Sequence, residues 1–388
     1  MNCRTLAILP SPAEFLRLGL PLLALPILAL SVLACAPAAE PPADDATTAP
    51  AGSPSTGDTA LGYIETVDPA LTEVISEDAM IETLAEGFDW SEGPLWVPDA
   101  GYLLFSDVPR NVIYRWREDA GIDTWMSPSG YTGEIPRGGE PGSNGLVLDP
   151  EGRLLLCQHG DRRVARLEGP WPAEPITGPT FSTVADRYDG ARFHSPNDLV
   201  VGLGGEVFFT DPPYGLAEGP DDPSREMPHQ GVYRVGADGT VDLISDRLSR
   251  PNGVALSPDG GALYVANSDP ERAVWWAFTL SREAGGRVTA DGGRLFADAT
   301  PHVGDDAPGL PDGMAVDVEG RLFATGPGGV WVLTPDGRHL GTVRLPMPAA
   351  NCTFGDDGSS LFVTADSHLL RVRLKTRGLG FGGDGDVG

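Results

Sequence analysis

The stretch that decides the fold is residues 310–326, "LPDGMAVDVEGRLFATG". Pro311-Asp312-Gly313 reads as a turn that launches an alternating run, and Gly320 opens a second, apolar run, "GRLFATG". That second run has five counterparts: "GYLLFSD" from Gly101, "GRLLLCQ" from Gly152, "GEVFFTD" from Gly205, "GALYVAN" from Gly261 and "SSLFVTA" from Ser359. The first five starts lie 51 to 59 residues apart, and the last follows after 39. A further strand comes next in most units, among them "NVIYRW", "GVYRVG", "VWWAFTL" and "LLRVRL". Short strands recurring at this period, with Gly and Pro between them, specify an all-β chain folded as a six-bladed β-propeller. The segment "MIETLAEGF", residues 80–88, is expected to supply the strand that closes the ring with the last blade. No long stretch after residue 60 carries helical periodicity, so a two-domain α/β reading has no support.

Composition agrees with a turn-rich β protein: the 388 residues include 51 Gly and 37 Pro. Acidic side chains number 55 against 27 basic, a formal charge of −28. Nucleic acid is excluded as a partner, because no basic patch exists to displace counterions from phosphates. The acidic balance suits solubility and cation binding.

The first residues read as a targeting signal. Arg4 and Arg17 precede the apolar run "LGLPLLALPILALSVLA", which ends at Ala34, with Cys35 directly after it. Residues 1–34 resemble a bacterial lipoprotein signal peptide. The resemblance implies cleavage before Cys35, its lipidation, and an exported protein held on the periplasmic or cell-surface side of a membrane. An uncleaved membrane anchor is the alternative. Residues 35–60 are Ala- and Pro-rich and read as a disordered tether. The folded body is expected over 61–378, with a Gly-rich flexible tail at 379–388. Within the body only Cys157 and Cys352 remain, expected as buried free thiols rather than a disulfide.

Eight or nine residues before each repeat start stands a polar residue: Glu92, Asn144, Asn197, Asn252, Asp312 and Asn351. Innermost propeller strands line a central channel, so equivalent positions form a ring of two carboxylates and four carboxamides. An all-oxygen ring carrying two negative charges suits one hard divalent cation, Ca²⁺ before Zn²⁺. The competing reading is that each residue merely caps a turn, as Asn and Asp readily do; Glu92 fits that reading poorly. His159, Asp211, Tyr214 and His194, near strand ends, are candidates for the channel rim. A G-x-S-x-G elbow and a phosphate-binding G-x-x-x-x-G-K loop are both absent from the sequence.

"SEGPLW", "FSDVPRNVIYRW", "SPNDLVV", "FFTDPPYGL", "RPNGVALSPDG" and "LPDGMAVDVEGRLFATG" together resemble the gluconolactonase and senescence-marker (regucalcin) family of six-bladed propellers. The resemblance implies hydrolysis of a sugar lactone at the propeller centre, dependent on one divalent cation. It implies metal ligation by Glu92, Asn197, Asn252 and Asp312, with Asp312 also the catalytic base. Asn144, Asn351, His159, Asp211 and Arg192 are the expected substrate-binding residues. The expected partner is a small lactone, with the membrane reached only through the lipid anchor and the chain a monomer or weak homo-oligomer. The alternatives are an esterase or phosphotriesterase at the same metal, or a non-catalytic ligand-binding propeller.

Overall fold

The computed structural model describes residues 61–172, 174–283 and 287–381. The signal segment, Cys35 and the tether to residue 60 lie outside the described residues, as do tail residues 382–388.

Among the described residues six sheets account for nearly all the regular structure, antiparallel except where Ile176–Thr177 runs parallel to Gly121–Ser127. Their innermost strands are Ser91–Val97, Ser143–Leu148, Leu199–Val201, Pro251–Leu256, Met314–Val316 and Asn351–Gly355. Each inner strand contacts the next, and the last contacts the first, so the sheets close into a ring of blades. In blade one the chain steps outward through Tyr102–Asp107, Val112–Arg117 and Gly121–Ser127. The other blades follow the same meander, with one exception. The outer strand of blade six is Ile81–Glu86, pairing antiparallel with His368–Arg373. The expected closure is thus present, and it ties the two ends of the body together. Tyr63–Thr66 adds an unforeseen fifth strand outside blade five, against His339–Arg344.

The repeat runs are solidly apolar because both faces of each blade are covered. Successive side chains on a strand point to opposite faces. On Tyr102–Asp107, Leu104 enters the cluster shared with blade two, whereas Leu103 and Phe105 enter the cluster shared with blade six. On Ala262–Asp269, Leu263 and Val265 face blade three, and Tyr264 and Ala266 face blade five. The core is therefore divided into six clusters, one between each pair of neighbouring blades. Each large aliphatic or aromatic side chain buried there contributes about 1.5–3 kcal/mol. Cys157 and Cys352 are free thiols within two of these clusters, as expected.

The body runs slightly past its expected end at residue 378. Leu379 donates its N–H to the Val316 carbonyl at 3.0 Å, and Phe381 packs against the blade-six core. These first tail residues belong to the packed body.

Candidate active site

The six ring residues stand at or just before the start of each inner strand, and local chemistry fixes them there. Around a narrow channel, neighbouring inner strands approach backbone to backbone. A Cβ on Gly93 would stand 2.0 Å from the Asn144 carbonyl oxygen, and one on Gly253 would stand 2.1 Å from that of Asp312. Only glycine fits after Glu92 and Asn252. Hydroxyls near the ends of the repeat strands then bind the next blade. Ser106 Oγ donates to the Asn144 carbonyl at 2.9 Å, and Thr210 Oγ1 to that of Asn252 at 2.6 Å. Ser268 Oγ reaches Pro311 O at 2.5 Å, and Thr325 Oγ1 reaches Ala350 O at 3.0 Å. The polar endings of "FSD", "FTD" and "NSD" therefore hold ring residues in register.

A cavity of about 250 Å³ opens at the end of the channel where the inner strands begin. Glu92, Asn144, Asn197, Asn252 and Asp312 all line it, joined by Trp90, Glu140, Tyr214, Arg250 and Ser268. The amides form a chain along its wall. Asn144 Nδ2 donates to Asn197 Oδ1 at 2.8 Å, Asn197 Nδ2 donates to Asn252 Oδ1, and Asn252 Nδ2 donates to Ser268 Oγ at 2.9 Å. Glu92 accepts from the Gly93 N–H at 3.0 Å. Among the described residues, two buried acceptors lining this cavity have no hydrogen-bond partner: Asp312 Oδ1 and Asn144 Oδ1.

The electrostatics are strained in the same place. Burial pushes the Glu92 carboxyl up to about 8, and the charges of Asp198 and Glu140 add to the shift. Asp312 opens part of its surface to the cavity but lies deep in the body. Burial first, and then the charge of Glu92, drives its carboxyl well above the ordinary carboxylate range. Two carboxylates that repel each other, beside two unclaimed oxygens, are a donor set that a hard dication fits. Among the described residues no three His, Cys, Asp or Glu side chains cluster, so the oxygens available to such an ion are two carboxylates plus amides. Tyr214 lies against Ser268 and near Asp312, and burial raises its phenol pKa, so it stays protonated and can donate.

A model of the SMP-30/gluconolactonase/LRE-like region matches residues 90–367. The chain belongs to that family. It is 40% identical to a gluconolactonase of Zymomonas mobilis subsp. mobilis over 336 residues, covering 85% of this chain and 91% of that one. It is 28% identical to a pentonolactonase of Haloferax volcanii over 279 residues, 70% of this chain and 80% of that one. Among solved structures, a gluconolactonase from Xanthomonas campestris matches with a TM-score of 0.66 at 32% identity, over 80% of this chain and 95% of that one.

Within this family member, five of the six ring residues meet at one cavity, and the sixth does not. Asn351 caps its own strand, accepting the Cys352 N–H at 2.8 Å, and its amide bonds Asp198. Both Asn351 and Asp198 line the concavity at the opposite end of the channel, and Asn351 is not among the residues lining the Asp312 cavity. Asp211 is wholly buried and away from the cavity. It accepts the backbone N–H groups of His194 and Ser195 at 2.9 and 2.8 Å. Asp107 does the same for Asp89 and Trp90, and Asn267 for Arg250. The seventh residue of the repeat run, Asp107, Asp211 or Asn267, is thus a repeated loop anchor, and Asp211 is one instance of it.

His159 is fully buried behind the amide chain: Nε2 lies 3.0 Å from Asn197 Oδ1 and Nδ1 lies 3.2 Å from Glu140 Oε2. It positions Asn197 and does not line the cavity. His194 is a core histidine, its Nε2 3.2 Å from the Met227 carbonyl, its pKa lowered by burial to about 4. Arg192 lines a separate cleft beside the mouth.

Asp198, Glu140 and Arg250 are among the contributors not singled out in the sequence. Asp198 follows Asn197 where four of the other five blades carry Gly, and the missing glycine in "PND" marks it. Its carboxylate accepts the Val254 N–H of the next blade at 3.1 Å, and burial raises it to about 6. Glu140 and Arg250 arrive on loops that carry no periodic signal.

Proposed function

We propose that this chain hydrolyses a sugar lactone in the cavity at the Asp312 end of the channel, and that the reaction depends on a divalent cation, Ca²⁺ by donor chemistry. The observation that carries the reading is the pairing of two mutually repelling buried carboxylates, Glu92 and Asp312, with an unbonded Asp312 oxygen. The names of the relatives support the substrate class, since two of them are sugar lactonases.

Glu92, Asp312 and the amide oxygens along the wall would hold the cation. Asn144 presents its oxygen unclaimed, whereas Asn197 Oδ1 already takes bonds from Asn144 and His159. Asn144 is therefore the better amide ligand of the two, an exchange of the roles expected from the resemblance. A bound cation supplies Lewis-acid polarisation of the lactone carbonyl. Asp312 accepts the proton of the attacking water, as a carboxylate held above its ordinary range is suited to do. Tyr214 remains a hydrogen-bond donor facing the same space, and Arg250 offers its guanidinium to substrate oxygens at the mouth. Trp90 contributes an apolar wall for a sugar ring.

Acid release from a panel of sugar lactones, with and without chelator, tests the reading. At least one lactone should turn over, chelation should remove the activity and Ca²⁺ should restore it. Turnover that survives chelation, or none on any lactone, overturns it.

A further inference from the structure

Beside the channel mouth, between blade two and the loops of blade three, lies a second concavity of about 630 Å³. Four arginines line it: Arg137, Arg162, Arg163 and Arg192. Arg163 is paired with Asp161 at 3.1 Å. The other three make no ion pair among the described residues and spend their N–H groups on carbonyls. Arg137 Nη2 donates to Gly215 O at 2.5 Å. Arg162 donates to Phe193 O at 2.7 Å and to Ser224 O at 3.0 Å. Arg192 Nη2 donates to Asp161 O at 2.9 Å. Carbonyls satisfy these donors, and carboxylates act on Arg137 and Arg162 only at a distance, without an ion pair among the described residues.

Arg162 is the telling member. It is only 6% exposed, yet its Nη2 is buried with no hydrogen-bond partner. A buried guanidinium N–H without an acceptor is costly, and a buried unpaired charge more so. Carboxylates are not scarce in a chain with 55 acidic residues against 27 basic. Asp222, in the same lining, is turned to the Ser224 hydroxyl and amide instead. Burial and the neighbouring charge of Arg192 lower the Arg162 pKa, and burial lowers that of Arg137, the cost an incoming anion would relieve.

We propose that this cleft is a second binding site, for a small polar molecule bearing an oxyanion, a carboxylate or a phosphate, gripped by Arg162 Nη2 and the free N–H groups of Arg192. Planar guanidinium forks suit both anions. The site is separate from the cavity of Asp312, and the proposal stands whichever substrate that cavity takes. The two are nevertheless neighbours. Arg137 fastens its loop to Gly160 and Gly215, which follow His159 and Tyr214, and the same loop carries Glu140 into the Asp312 cavity.

Calorimetric titration of the protein with inorganic phosphate, and separately with D-gluconate, tests the site at low ionic strength. At least one anion should bind. Arg192→Gln, at a half-buried position, should weaken that binding about tenfold or more while the melting temperature stays near parent. Arg162→Gln should remove it, and Arg192→Gln keeps the proposal testable if the buried variant fails to fold. Phosphate binding alone assigns a phosphate-bearing ligand, and gluconate binding assigns a carboxylate. No binding of either anion, or binding unchanged in Arg192→Gln, overturns the proposal; the latter is the result if only the Asp312 cavity takes the anion.

Discussion

Three Pro-Asp-Gly turns in this chain share a tripeptide and differ in everything else. In "SPDG" at 257–260, Asp259 is exposed and its Oδ1 accepts the Ser257 hydroxyl at 2.6 Å and the Gly261 N–H at 2.9 Å. Those bonds hold its carboxyl below the ordinary range. Asp336 in "TPDG" is exposed and takes the Thr334 hydroxyl, with the same result. In "LPDG" at 310–313, Asp312 Oδ1 is buried without a hydrogen-bond partner, and the carboxyl is raised even though the Gly313 N–H acts to lower it. The difference is one of place in the blade. Asp259 joins an inner strand to its neighbour at the outer end of the channel, and Asp336 joins two outer strands. Asp312 precedes an inner strand, where every blade aims a polar side chain inward. The turn tripeptide sets the backbone path, and the repeat phase decides whether the carboxylate serves that turn or faces the channel.

Altering the charges around Asp312 sharpens this contrast. Glu92→Gln should lower Ca²⁺ affinity about 10²-fold or more, because it removes one of two buried anions from the site. Asn144→Ala should cost about tenfold, the loss of one neutral ligand to a charged group. Calorimetric Ca²⁺ titration orders the two, and equal losses would break the assignment. A smaller effect concerns stability. The folded protein without metal keeps a proton on Glu92 up to about 8, whereas the unfolded chain releases it near 4.5. Stability from this group is complete below the lower value and is lost as pH rises through the upper one. In chelator, the melting temperature should therefore fall by about 3 °C or more between about pH 5 and pH 8.5, and saturating Ca²⁺ should reverse much of the fall. Glu92→Gln should make the chelator profile shallower, the raised Asp312 and Asp198 carboxyls keeping part of the slope. A profile that is flat in the parent would mean that Glu92 is not held protonated.

Much of this was legible in the sequence because propeller chemistry repeats. The strand runs, the closure by residues 80–88 and the phase of Glu92, Asn144, Asn197, Asn252 and Asp312 all follow from counting between like segments. The same counting misplaced Asn351. Phase puts a residue at the start of an inner strand, but which channel end its side chain serves depends on what neighbours leave free. Asp198, standing where most blades have Gly, offers Asn351 a partner from below the ring. Asp211 misled for a related reason: a conspicuous acid at a strand end was read alone, although Asp107 and Asn267 hold the same repeat position as loop anchors. Glu140 was beyond reach, since only the folded path of the 131–142 loop brings it beside His159.

The central claim is that Asp312 is a working carboxylate and Asp259 a turn residue. The most direct measurement compares kcat for a sugar lactone in Asp312→Asn and Asp259→Asn at saturating Ca²⁺. Asn preserves shape and one acceptor oxygen in both, so a turn residue should tolerate the change. Asp312→Asn should lose about 10²-fold or more in kcat with its melting temperature near parent, and Asp259→Asn should stay within about twofold. Equal activity in the two variants would mean that "LPDG" is only a turn, and the account of the site would fall with it.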